Sequence, residues 1–152
     1  MIKLLCVGKV KDRHLAALID DYVLRINRYH KLEVREVKDE PIGSDSNAVL
    51  KKEGEALLRE VKDDEYLILL DLHGEMIDSL SFAKKLDSAF ISHPKLTFAI
   101  GGSLGFSSAV YQRADARLKL SDLTFLHQMT RLLILEQIYR AFKINNHETY
   151  HK

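Results

Sequence analysis

With a single cysteine, Cys6, the chain cannot close an internal disulfide. Cys6 sits in an apolar run, so it reads as a buried, reduced thiol. Only two prolines, beside 46% hydrophobic and 30% charged residues, exclude a disordered or low-complexity protein. No apolar run approaches the length of a membrane span. After Met1-Ile2-Lys3 only a handful of apolar residues follow, too few for the hydrophobic region of a signal peptide, so a cytoplasmic location is expected. The scattered histidines and Cys6 form no recognised metal-ligand spacing, and no metal is expected. There is no G-x-G-x-x-G and no Gly-Lys-Ser/Thr, which argues against a nucleotide polyphosphate site. The absence of a G-x-S-x-G elbow argues against an α/β hydrolase. Internal repeats and dividing linkers are also missing, and 152 residues fit one domain.

A net charge of +1 is not that of a strongly basic nucleic-acid binder. The charge is uneven, however. From Thr97 onward there are seven Lys/Arg against four Asp/Glu, and three of the seven histidines. That asymmetry permits an RNA-facing C-terminal half.

What is present alternates. Ile2 to Val10, Leu32 to Val37, Glu65 to Leu72, Leu96 to Ile100 and Arg117 to Leu120 read as short strands, the first and third apolar enough for burial on both faces. Between them lie helical stretches. Asp12 caps one with the stripe Leu15, Leu18, Ile19, Tyr22, Val23 and Ile26. Ser46 or Asn47 opens a second, running to about Val61, and Ser79 or Ser81 a third with Leu80, Ala83, Leu86 and Phe90 inward. A short helix is expected near Ser107 to Ala114. The polar segment Lys38 to Asn47 reads as a loop, either a plain solvated connection or a mobile lid. This order predicts an α/β protein with a largely parallel sheet flanked by helices.

Three turns, Asp71 to Gly74, Gly101 to Gly105 and Ser121 to Phe125, follow three apolar strands. In a parallel sheet they gather at the strand C-termini, where main-chain groups suit a planar heterocycle. Glycines present only for tight turns are the plainer explanation of the same residues. The last helix, Leu126 to Ile144, is apolar nearly all round: Leu132 to Leu135 alone sweep about 300°. Such a helix is buried on several sides, so a homodimer packed across it is expected. Glu136 and Arg140 form an i, i+4 pair, and so do His127 and Arg131 in spacing.

IGGSLG (Ile100 to Gly105), LSDLTFLHQMTRLLILEQIYRAFKI (Leu120 to Ile144) and the ending Tyr150-His151-Lys152 resemble the RlmH family, the ribosomal RNA large subunit methyltransferases H of the SPOUT class. Cys6 to Lys9 and KKEGEALL (Lys51 to Leu58) fit the same family, so the resemblance spans essentially the whole chain. Leu126 departs from it, standing where that family usually carries proline. The resemblance implies a SPOUT-type fold in which the chain from about Leu96 threads a deep trefoil. It implies S-adenosyl-L-methionine bound by Leu70, Gly101, Gly102 and the segment Leu120, Ser121, Asp122, Leu123, Thr124 and Phe125. It implies methylation of N3 of a pseudouridine in large-subunit ribosomal RNA. His127 and His151 are then candidates for helping the N3 proton leave, Arg140 for stabilising negative charge on the base, and Tyr150 for stacking on it. The ribosome would be the partner, in keeping with the modest charge. A transfer RNA acceptor, or a non-catalytic ribosome-binding dimer, stays open as an alternative.

Overall fold

A computed structural model describes residues 1–41, 43 and 45–152. Ile42 and Ser44, within the Lys38 to Asn47 segment read as a loop or lid, lie outside the described residues. The elements alternate: β1 (Ile2–Val7), α1 (Arg13–Ile26), β2 (Leu32–Val37), α2 (Ser46–Arg59), β3 (Tyr66–Met76), α3 (Ser79–Ser92), β4 (Leu96–Ile100), α4 (Ser108–Arg113), β5 (Ala116–Lys119) and α5 (His127–Asn145). The strands form one sheet in the order β2-β1-β4-β3-β5, and each pair is parallel. Central β1 and β4 are buried along their whole length, as their mostly apolar sequences require, with Lys3 and Thr97 the buried polar exceptions.

Period-two alternation sorts the strand side chains between two cores. Ile2, Leu4, Cys6, Phe98 and Ile100 face α1, α3 and α5. Leu5, Val7, Leu67, Leu69 and Ala99 face α2 and α4. Cys6 is fully buried, and burial pushes its thiol pKa up to about 12, so it is an unreactive core residue. At the N-terminal edge of the sheet the Lys3 ammonium meets Glu65 Oε2 at 2.7 Å, and Thr97 donates to the same oxygen at 2.8 Å. Lys3 also donates to the Glu60 carbonyl. This buried pair is well provided with partners, as burial of charge demands.

Several boundaries differ from the sequence reading, each for a local reason. β1 stops at Val7 rather than Val10 because Gly8 turns to φ +80°. Asp12 caps α1 as expected, accepting from the His14 and Leu15 amides. The caps of α2 and α3 are Asp45 and Asp78, whose carboxylates take amides that Ser46, Asn47, Ser79 and Ser81 were expected to serve. On α3, Phe82, Ala83 and Leu86 are buried, whereas Leu80 in the first turn is exposed. The largest correction concerns Asp71 to Gly74. These residues are not a free turn: β3 continues through them to Met76, with a register shift between Leu70 and Glu75 against β5. The extra residues bulge out, and pairing resumes because β5 accepts partners on both sides of the bulge.

Gly74 makes that bulge possible. A Cβ on it would stand 2.6–2.8 Å from the Leu118 and Lys119 backbone. Gly74→Ala is therefore expected to destabilise the protein by about 1–3 kcal/mol through enforced backbone displacement, measurable as a lower urea midpoint at unchanged slope.

Candidate functional site

The C-terminal ends of β4, β3 and β5 lie side by side, and a cleft of about 500 Å³ opens beyond them. β3 supplies Leu70, with Asp71 and Leu72 after it. β4 leads into Gly101, Gly102 and Gly105. From β5 the wall runs through Leu118, Lys119 and Leu120 into Ser121, Leu123, Thr124 and Phe125. The first turn of α5 closes it with Leu126, His127 and Thr130. Every residue expected to touch a cofactor lines this cleft except Asp122, whose carboxylate turns to Lys119 at 2.6 Å. Lys119 itself lines the cleft.

The three glycines serve different ends. Gly105 has φ +81°, with open space where a Cβ would be. It accepts the left-handed turn that closes the Gly102–Gly105 bridge, in which the Gly105 amide donates to the Gly102 carbonyl at 3.1 Å. A Cβ on Gly101 would meet the Gly105 carbonyl oxygen at 2.7 Å. A Cβ on Gly102 would meet Glu53 Oε2 at 2.8 Å. Glycine at 101 is thus demanded by the protein's own backbone, whereas a side chain at 102 would have to push the Glu53 carboxylate aside. The sequence reading named KKEGEALL but did not give Glu53 a place at this turn.

Leu126, where the resembling family carries proline, sits at φ −57° at the head of α5. Proline imposes nearly this angle, so leucine leaves the backbone where proline would hold it. His127 begins the helix half-buried. Burial, with the Arg131 guanidinium one turn on, lowers its pKa, and Asp39 opposes only in part. The imidazole is therefore neutral at neutral pH and can accept a proton or a hydrogen bond. Asp71, which the sequence reading placed in a turn without assigning it a role, accepts Tyr111 Oη at 2.9 Å. Burial and that bond push the tyrosine pKa up to about 12, so it stays a donor. The other oxygen, Asp71 Oδ2, is buried with no partner among the described residues. Its signal in the sequence was its position, directly after the apolar run of β3.

The remaining expected site residues gather elsewhere. Arg140 clasps Glu136, donating from Nη2 at 2.5 Å and from Nε at 3.1 Å. Tyr150 Oη donates to the same Glu136 oxygen at 3.0 Å, and the Arg140 guanidinium stacks over the Tyr150 ring at 4.8 Å. His151 Nδ1 lies 3.2 Å from Arg140 Nη1. The tail is thereby held against the C-terminal half of α5. Along the helix axis, thirteen positions separate Arg140 from His127, roughly 20 Å. Within one chain the structure does not bring His127 together with Arg140, Tyr150 and His151.

Between these two ends runs an uncovered apolar stripe. Leu126 is 62% exposed and Met129 42% exposed, Leu133 is half-buried, and Leu123 and Phe125 stand exposed beside them. The opposite face, with Ile134, Leu135, Ile138, Ala141 and Phe142, is sealed in the core. The nearly all-round apolar character of α5 thus resolves into a core face, flanks shared with α1 and α3, and one stripe without cover. No helix among the described residues is long and apolar enough to cross a membrane, and none of their His, Cys, Asp and Glu form a group placed to hold a metal ion.

Residues 1–151 match the family model described as "Predicted SPOUT methyltransferase". The chain is similar, at 43% identity over 99% of both chains, to proteins named ribosomal RNA large subunit methyltransferase H from Acetivibrio thermocellus and Ruminiclostridium cellulolyticum. A protein of that name from Desulforamulus reducens is also 43% identical, over 99% of this chain and 98% of its own.

A carbon-detected imidazole titration by NMR is expected to place the His127 pKa below the ordinary histidine value and leave the ring neutral at pH 7. Replacing Asp39 by Asn is expected to lower it further, since the carboxylate is the one group raising it.

Proposed function

Because the chain belongs to the SPOUT methyltransferases, and within them to the ribosomal RNA large subunit methyltransferase H family, we propose that it methylates N3 of a pseudouridine in large-subunit ribosomal RNA, with S-adenosylmethionine as donor. The observation that carries this reading is the convergence of Gly101, Gly102, Gly105, Ser121, Leu123 to Phe125 and His127 on one cleft. Its volume suits a nucleoside-sized ligand, and its walls are mostly apolar. The partnerless Asp71 Oδ2 offers an acceptor to a ligand hydroxyl or amine. These features fit an adenosyl group.

The donor's sulfonium supplies an activated methyl group and leaves as a neutral thioether. The work left to this chain is orientation and proton management. A pseudouridine N3 carries a proton at neutral pH, which must depart as the nitrogen lone pair attacks. Neutral His127, at the mouth of the cleft, is suited to receive it. Arg140, held in the half-buried ion pair with Glu136, presents its remaining donor edge and His151 toward solvent, where negative charge on the base can be met. Tyr150, its hydroxyl tied to Glu136 and its ring packed beside Arg140 and Tyr139, is the aromatic candidate for meeting the base.

One base cannot meet both groups within a single chain. We propose a two-fold homodimer in which the stripe Leu126–Met129–Leu133 of one α5 packs antiparallel on its mate. A dyad near Leu133, midway between His127 and Arg140, sets the His127 end of each helix beside the Arg140 end of the other, so each site is built from two chains. The substrate reading extends to the assembled ribosome. Net charge is near neutral, at +1, which leaves little general attraction for naked RNA. The same family reading has the chain from about Leu96 threaded through a deep trefoil. Pulling on the two ends of a single molecule should then stop short of the fully extended length.

Nucleoside mass spectrometry of ribosomal RNA from cells with and without this protein tests the reaction: a methylated pseudouridine should vanish with the protein, and an unchanged profile rejects the reading. Mixing tests the shared site. His127→Ala and a Tyr150–Lys152 truncation should each be nearly inactive. Their refolded mixture should recover roughly a quarter of wild-type activity, since half the dimers are mixed and each keeps one complete site. No recovery would place the whole site within one chain.

A further inference from the structure

Behind the glycine turn of the cleft lies a carboxylate that the reaction described above does not use. Glu53, on α2, is 5% exposed. Its Oε1 accepts the Glu40 amide at 3.1 Å, while Oε2 is buried with no partner among the described residues. That free oxygen points at Gly102: it lies 2.8 Å from where a Cβ on that residue would be. Gly102 is itself a wall of the cleft, so one glycine separates the carboxylate from the ligand. The charged groups facing Glu53 are Asp39 and Glu40, both acidic, and among the described residues no cation pairs with it. Burial first, then these two neighbours, raise its pKa, although the Glu40 amide works against them. A buried negative charge left unanswered by its own protein is costly unless something positive arrives.

We propose that Glu53 lets the cleft discriminate the cationic donor from the neutral thioether product. The inference rests on the donor reading above. S-adenosylmethionine and S-adenosylhomocysteine differ by the methyl group and its positive charge, and they share the adenosine and amino-acid parts. Apolar walls and backbone hydrogen bonds treat the two nearly alike, and the charged wall residues Asp71 and Lys119 act equally in the wild type and in Glu53 variants. A carboxylate behind Gly102, screened by little water, favours the charged one. When the methyl leaves, that attraction is lost, so product release is assisted by the same residue that aids donor capture. Gly102 is required because any side chain there would displace the carboxylate.

The test is the ratio of the two affinities, measured by calorimetry on the wild-type protein, Glu53→Gln and Glu53→Asp between about pH 5 and pH 8. Glutamine keeps the acceptor for the Glu40 amide and the side-chain volume but removes the charge. It should lower the donor-to-product ratio roughly three- to tenfold at pH 8. The wild-type and glutamine curves should converge as the pH falls and Glu53 takes up a proton, sooner than an ordinary carboxylate would because its pKa is raised. His127 loses its proton over part of the same range and biases the ratio in the same direction, so the difference between the curves reports Glu53. The ligands' common amino-acid part cancels. Aspartate, which disturbs packing but keeps the charge, should retain most of the ratio even if both affinities fall. Coincident wild-type and glutamine curves, or an aspartate variant that loses the ratio as glutamine does, would overturn the proposal while leaving the donor reading intact. Failure of the wild type to bind either ligand would overturn both.

Discussion

The geometry of the cleft depends on one buried guanidinium. Arg131 is 1% exposed, and its Nη2 donates to the carbonyls of Val7 at 3.0 Å and Gly8 at 2.8 Å. Its Nη1 donates to Glu36 at 2.7 Å. One side chain on α5 therefore reaches the C-terminal ends of both β1 and β2. Desolvating such a charge costs several kcal/mol, offset only while all three acceptors stay in place. The apolar face of α5 alone would set its position loosely, because Ile134, Leu135 and Ile138 could trade places with modest repacking. A slip of one turn would move the guanidinium by about 5.4 Å and strand it. The register of α5 is thereby fixed, and with it His127, one turn earlier, at the mouth of the cleft.

The two ends of the sheet manage polar groups differently. At the N-terminal edge, Lys3, Glu65, Thr97 and the Glu60 carbonyl form a closed set. Near the C-terminal edge, Glu53 Oε2, Asp71 Oδ2 and Arg131 Nε are buried and partnerless among the described residues. Native interiors satisfy nearly all such atoms, and the exceptions tend to fall where a ligand is awaited. The fourth such atom among the described residues, His30 Nε2, lies just before β2 at the N-terminal edge, so the imbalance between the two ends is three to one. The bulge in β3 belongs to the second end: it lengthens the wall beyond Leu70 and carries Asp71 to the cleft.

Much of this was legible in the chain itself. Mostly apolar runs announced β1, β3 and β4, and alternation with amphipathic helices announced a parallel sheet flanked by helices. The turns after β4 and β5 were visible from glycine and Ser-Asp, and both line the cleft. Less was visible where a residue's role depends on a distant partner. Arg131 reads as a surface cation in a helical pattern, and only the carbonyls of Val7 and Gly8, more than a hundred residues away, explain its burial. Lys3 likewise looks like an interruption in a hydrophobic strand until Glu65 answers it. The Asp71–Gly74 bulge was read as a turn because local composition cannot register the continued pairing that β5 supplies. Glu53 was hidden because its contact is with a glycine, which leaves no side-chain partner to infer.

The placement of function along α5 follows from the same economy of parts. The helix must bury one face to close the core, and Arg131 fixes which face. Its outward stripe is then left apolar near the cleft and charged near the tail, so a single chain presents a donor-side half and an acceptor-side half some four turns apart. A longer loop could have folded the tail back to His127 within one chain. Instead Tyr150 and Arg140 are tied to Glu136, which anchors the tail where it is. In the proposed dimer an antiparallel mate joins the two halves with no further chain length, and it covers the exposed Leu126 and Met129 in the same step. On that proposal, shelter for apolar surface and completion of the site are one event, and activity depends on assembly.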